Sequence, residues 1–133
     1  MRRAVLDTNV LVSAIISEGK PRELLNRGIR REFTIITSGF ILKELATVMR
    51  RPRFRTSQDE TDRVIAALIQ SSEVVEVKSR FTAVKGDPAD DMVINTAYDG
   101  HADTIVTGDK LFLALGSFRR VRILSVSDAL SQS

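Results

Sequence analysis

Cysteine is absent from this chain, and histidine occurs once, as His101. The first gap removes thiol nucleophiles and disulfide staples, and the two together remove conventional zinc clusters. They also leave imidazole-based nuclease chemistry without support, since His101 sits in the turn Asp99-Gly100-His101 with no serine or second histidine arranged beside it. No window has the uninterrupted apolar length that a membrane span needs. The opening Met1-Arg2-Arg3-Ala4-Val5-Leu6-Asp7 has a positive flank but meets an acid after three apolar residues, so it does not read as a secretion signal. Cytoplasmic location is the expectation. Aromatics are scarce: six phenylalanines are assigned to the core by default, and the single tyrosine, Tyr98, joins them as a residue able to stack a base. Internal repeats and low-complexity tracts are missing too.

The remaining composition fits a folded domain. A length of 133 residues with 43% hydrophobic content predicts one domain over residues 1–133 with a proper core. The formal net charge of +3 is modest, but the arginines are grouped: Arg27, Arg30 and Arg31; Arg50, Arg51, Arg53 and Arg55; Arg119, Arg120 and Arg122. Guanidinium forks match phosphate geometry, so three such groups favour a nucleic-acid partner over simple solubility.

Apolar spacing orders the elements. Val5-Leu6 reads as a buried strand ending at Asp7, followed by a helix with Val10, Leu11, Ala14 and Ile15 on one face. Gly19 and Pro21 end it, and Leu24, Leu25 and Ile29 mark a second helix. A strand over residues 33–37 passes through Ser38-Gly39 into a helix carrying Ile41, Leu45, Val48 and Met49, which Pro52 stops. Ser57 and Glu60 have capping-box spacing ahead of another helix, and Val74 to Val77 predicts a strand. Residues 79–86 read as a loop or a bent continuation. Asp87-Pro88 opens a helix that buries Val93, Ile94 and Ala97 and ends near Gly100. Strands over 104–107 and 122–125 flank a short helix over 111–115. Strands alternating with helices predict a three-layer α/β/α architecture around a parallel sheet of about five strands. In such sheets the binding crevice lies beyond the carboxyl ends of the strands.

Acids collect at that edge. Asp7 ends the first strand, and Asp109 follows the strand that closes in Thr107-Gly108. Glu44 lies early in the helix after the second strand, and Asp91 in the first turns of the helix at Asp87-Pro88. Brought together, these carboxylates repel one another unless a hard divalent cation such as Mg²⁺ or Mn²⁺ joins them. Each has a plain alternative. Asp7 and Asp109 can cap the helices that follow them, Glu44 can face solvent, and Asp87 and Asp90 suit the capping context of Pro88. Asp91 stands one step beyond that context, on the side shared with Asn95. Asn9, Thr8 and Thr107 are placed to hydrogen-bond a ligand carboxylate or water from behind.

Together these segments resemble the PIN-domain family, and in particular the small PIN ribonucleases that act as toxins of prokaryotic toxin–antitoxin pairs. The resemblance spans nearly the whole chain. It rests on Leu6-Asp7-Thr8-Asn9-Val10, on Glu44 within Ile41-Leu42-Lys43-Glu44-Leu45, on Asp87-Pro88-Ala89-Asp90-Asp91 with the apolar residues after it, and on Ile105-Val106-Thr107-Gly108-Asp109. It implies a metal-dependent endoribonuclease with Asp7, Glu44, Asp91 and Asp109 as catalytic metal ligands, Asp91 being the best match in its motif and Asp90 the alternative. It implies Mg²⁺ or Mn²⁺ as cofactor and in-line cleavage of RNA that leaves a 5′-phosphate. An antitoxin partner and a homodimer also follow from it, with Leu24, Leu25 or Val64 and Leu68 as contact faces. Lys110 departs from the polar or acidic residue many relatives carry, which leaves the ligands of a second metal open. Arg50, Arg51, Arg53 and Arg55 are assigned to flanking RNA phosphates. Two other readings compete: a noncatalytic RNA- or antitoxin-binding domain, and a haloacid-dehalogenase-type phosphatase. The second needs an acid two residues after Asp7, where Asn9 stands.

Overall fold

The computed structural model describes residues 1–52, 57–84 and 86–132. Its centre is β1 (Arg3–Leu6), whose Ala4, Val5 and Leu6 are buried on both faces, as a strand covered above and below requires. Parallel neighbours lie on each side, β2 (Thr34–Ser38) and β4 (Thr104–Val106). Beyond β2 lies β3 (Ser72–Val75), and beyond β4 lie β6 (Val121–Leu124) and β5 (Ser117–Phe118), giving the order β3-β2-β1-β4-β6-β5. The expected parallel sheet of about five strands is present, and the sixth strand is the two-residue β5, paired antiparallel to β6. A strand that short carries no periodicity to read. The third strand lies two residues earlier than its valine alternation predicts, because Glu73 and Val74 are both exposed on an edge strand.

From β1 the chain steps outward twice, to β2 through α1 (Thr8–Ile16) and α2 (Lys20–Ile29), then to β3 through α3 (Gly39–Met49) and α4 (Gln58–Ser71). Right-handed crossovers in that direction put all four helices on one face, where α7 (Val126–Ser131) joins them against α2. The return to β4 reverses direction, so α5 (Pro88–Asp99) covers the other face against β2, β1 and β4. The short α6 (Lys110–Leu115) follows β4. Close packing of these layers is visible at Gly100, where a Cβ would stand 2.5 Å from Ile36 Cγ2. Leu24, Leu25 and Leu68 are core residues of the single chain, so they are not available for the subunit contact expected of them. No helix among the described residues is long and apolar enough to cross a membrane.

Two backbone bonds carry the sheet register past the strand ends. The Asp7 amide donates to the Val106 carbonyl at 2.9 Å, and the Thr107 amide to the Leu124 carbonyl at 3.0 Å. Asp7 and Thr107 therefore stand side by side at the carboxyl edge, a hundred residues apart in sequence. The segment over residues 76–84 has neither helix nor strand. Its backbone is held by α5: Asp99 accepts from the Lys78 and Ser79 amides, Asn95 Oδ1 from the Phe81 amide, and Asp91 Oδ1 from the Ala83 and Val84 amides.

Candidate metal centre

Asp7 is 5% exposed, and its side chain does not cap α1. Instead the Thr107 hydroxyl donates to Asp7 Oδ2 at 2.8 Å. The same hydroxyl oxygen accepts the Asp109 amide at 3.1 Å, so one threonine fixes both neighbouring acids. Burial pushes the Asp7 carboxyl above its usual range. The Thr107 hydroxyl and the Thr8 amide oppose that rise, and the charges of Glu44 and Asp109 add to it. Asp109 begins α6, where its Oδ1 accepts the Leu111 amide at 2.9 Å.

The third contributor is Asp90. It stands at the third helical position of α5, three and four residues before Val93 and Ile94, and therefore on the stripe that packs against the sheet. Its side chain is 7% exposed, and Oδ2 is buried without a hydrogen-bond partner. Burial, then the charges of Asp87, Asp7 and Asp109, raise its carboxyl from the ordinary value to about 7. Asp87 caps the helix by accepting the Asp90 amide at 3.1 Å. One carboxylate oxygen each from Asp87, Asp90 and Asp109 lie within 4.8 Å of one another. Among the described residues, no lysine or arginine forms an ion pair with these acids, with Asp7 or with Glu44.

The sequence reading and the structure part over α5. Asp91 does not join the cluster; its Oδ1 is taken by the Ala83 and Val84 amides at 2.8 and 2.7 Å. Asp90 takes the inward place instead. Asn95 shares the side of Asp91 and likewise serves the loop, through Phe81 and Ser79 rather than any ligand carboxylate. Glu44 is half-buried on α3 and close enough to raise the Asp7 carboxyl. Thr8 is buried with its hydroxyl unpartnered, and Asn9 is exposed, lining the opening beside Gly108 and Asp109. Arg50 and Arg51 are exposed at the end of α3, whereas Arg53 and Arg55 lie outside the described residues. Asp87 was readable as a cap, and nothing in its local pattern signals a second place among converging acids.

A family model described as PIN domain matches residues 3–111, more than half of the chain. The chain belongs to the PIN-domain family. Two solved structures share the PIN fold seen here. One is VapBC2 from Rickettsia felis, bound to a DNA fragment from its promoter, with TM-score 0.65 at 17% identity, covering 92% of this chain and 98% of that one. The other is PAE2754 from Pyrobaculum aerophilum, with TM-score 0.65 at 14% identity, covering 99% of this chain and 88% of that one. No curated protein matches. The residues of this PIN domain fit a hard divalent cation on their own chemistry: an all-oxygen donor set, crowded like charges, and a buried carboxylate oxygen with nothing to bond.

Proposed function

We propose that this PIN domain is a Mg²⁺- or Mn²⁺-dependent endoribonuclease and the toxin of a toxin–antitoxin pair. The observation that carries the reading is the buried Asp90 carboxylate, held against Asp87 and Asp109 with one oxygen unpartnered. A carboxylate kept in such a place without a cation is costly to ionise, and a structural role would be served as well by asparagine. Likeness of fold to the Rickettsia felis VapBC2 supports the toxin–antitoxin setting and a protein antitoxin as partner.

In this reading Asp7, Asp90 and Asp109 are the principal ligands, Asp87 completes the set and Glu44 flanks it. A divalent ion bound there supplies stabilisation of charge on the attacked phosphate and a water of lowered pKa. The chain's own residues set the geometry. Thr107 holds Asp7 and Asp109 in register through one hydroxyl, and Asp7 and Asp90 are themselves buried. Arg50 and Arg51, exposed at the end of α3, are assigned in this reading to phosphates of the RNA strand, contacts that position the chain without reading bases.

The test is cleavage of single-stranded RNA by wild type and Asp7→Asn, with and without Mn²⁺, beside a small phosphate ester. We expect Mn²⁺-dependent RNA cleavage by wild type alone and no turnover of the ester. Cleavage by Asp7→Asn at the wild-type rate, or turnover of the ester instead of RNA, overturns the reading.

A further inference from the structure

The arginines have very different surroundings. Arg27 pairs with Glu23, Arg30 with Glu32, and Arg31 donates to the Gln70 carbonyl, so this group braces its own neighbourhood. Arg122 donates to Gln132. Arg119 and Arg120 are exposed, with no acidic partner among the described residues. They line a groove of about 700 Å³ together with His101 and Tyr98.

Beside the groove, an aromatic cluster anchors Arg119. The Arg119 guanidinium lies 4.8 Å from the Phe81 ring centre, 5.6 Å from Phe118 and 5.9 Å from Tyr98. Phe81 packs edge-on against both other rings, at 4.7 and 5.1 Å. Tyr98 nevertheless remains 42% exposed. Both acids of the groove are already committed: Asp99 to the Lys78 and Ser79 amides, Asp103 to the Arg2 and Arg3 amides and the Thr104 hydroxyl. Their charges remain, and beside them the groove presents two arginines and the exposed Tyr98 ring. The rings restrain the Arg119 guanidinium, and the exposed residue remains accessible to a base.

We propose that this groove is a second RNA-binding site, in which a base of the substrate strand stacks on Arg119 and Tyr98 and a neighbouring phosphate meets Arg120. The proposal rests on the ribonuclease reading. Position supports it, because the groove lies at the carboxyl end of α5 and the acidic cluster at its amino end. Eight residues from Asp90 to Tyr98 span about 12 Å of helix axis, or about four nucleotides at the stacked rise of about 3.4 Å. That axial separation is within the length of a short RNA strand. Stacking on an aromatic or guanidinium plane is tolerant of base identity, so the site extends affinity and sets a minimum substrate length without selecting a sequence.

The test uses fluorescence anisotropy with a fluorescein-labelled single-stranded RNA of about twelve nucleotides, in an Asp7→Asn background that does not cut it. The double variant Arg119→Gln/Arg120→Gln should weaken binding roughly tenfold and lower the slope of log affinity against log salt by about 0.7, as loss of the one phosphate contact made by Arg120 requires. Arg122→Gln, which removes the same kind of charge outside the groove, should stay within about twofold. Arg119→Lys, which keeps the charge but loses the planar face, should still lose several-fold. Arg120→Gln alone removes an exposed side chain outside the ring contacts of Arg119, so its loss of affinity cannot be assigned to unfolding of the ring cluster. Equal losses in the groove variants and Arg122→Gln would reduce the effect to general charge and overturn the site, as would full affinity in Arg119→Lys. A shift in sedimentation with RNA affinity unchanged would make the groove a contact between copies, and also overturns it. If wild type cleaves RNA but the groove variants bind as wild type does, only the second site falls; if wild type neither binds nor cleaves, the ribonuclease reading falls with it.

Discussion

Asp90 and Asp91 are adjacent on α5 and chemically identical, yet their surroundings predict opposite consequences for the same substitution. Asp91 Oδ1 accepts two loop amides, and hydrogen bonds to a charged acceptor contribute about 1.5–3 kcal/mol each. Asparagine keeps the oxygen and loses the charge, so Asp91→Asn should cost about 1–2 kcal/mol, a fall in melting temperature of about 3–8 °C for a chain of this size. Asp90 has a buried oxygen with no partner and a carboxyl raised to about 7. Removing its charge at pH 8 relieves repulsion and burial. With water's access to the crevice allowed for, that gain is about 1–3 kcal/mol, trimmed by the new amide's own need for a partner. Asp90→Asn should therefore melt at or above the wild-type temperature at pH 8 without divalent ions, while its RNA cleavage falls at least about 100-fold and its Mn²⁺ binding is largely lost. Thermal melting by circular dichroism in EDTA, Mn²⁺ titration calorimetry and an RNA cleavage assay cover the three readouts. If Asp91→Asn loses Mn²⁺ binding while Asp90→Asn keeps it, the assignment of the inward acid is refuted.

Three further outcomes follow from the same geometry. Because folding raises the Asp90 carboxyl to about 7, the metal-free fold holds more protons than the unfolded chain at mildly acidic pH; the stability this contributes is full below about 4 and lost as pH rises through about 7. Asp7 shifts in the same direction, so melting temperature without divalent ions should fall between pH 5 and pH 8. Added Mn²⁺ should reverse that fall, with affinity that weakens as pH drops below about 7, and a flat profile with no response to Mn²⁺ would contradict it. Thr107→Val keeps the shape of the buried side chain but removes the hydroxyl shared by Asp7 and Asp109, so cleavage and Mn²⁺ affinity should fall about 10- to 100-fold, read by calorimetry and single-turnover kinetics. Gly100→Ala would put a Cβ 2.5 Å from Ile36 Cγ2 and 3.0 Å from the Thr96 carbonyl, costing about 1–3 kcal/mol in urea denaturation while Mn²⁺ affinity is retained.

The layer order was legible because buried parallel strands write themselves as short apolar runs, whereas the strand order is supplied by the structure. Val5-Leu6 and Ile105-Val106 pair directly, which brings Asp7 and Thr107 to one edge. The short β5 was not legible, since two residues of an antiparallel hairpin carry no pattern. Nor was the path over residues 76–84, whose backbone partners are side chains of α5 instead of another strand. The choice between Asp90 and Asp91 was legible in principle. Asp90, Val93, Ile94 and Ala97 fall at positions i, i+3, i+4 and i+7 of one buried stripe, while Asp91 and Asn95 fall at i and i+4 of the stripe beside it. Reading the acid as part of the apolar periodicity, rather than as the residue that capping leaves over, selects Asp90.

That choice also shows why capping is a poor argument against a functional role. A carboxylate has two oxygens, and an amino-terminal cap needs one. Asp109 gives Oδ1 to the Leu111 amide and Asp87 gives Oδ1 to the Asp90 amide, and both still stand within the acidic cluster. The cap fixes the rotamer, so the carboxylate is held in place before any ion arrives. The start of a helix also favours negative charge, which offsets part of the repulsion among acids gathered there. Helix starts after β4 and before α5's buried stripe are thus places where this fold can hold several carboxylates together, and the residues that begin those helices are the ones positioned to do so.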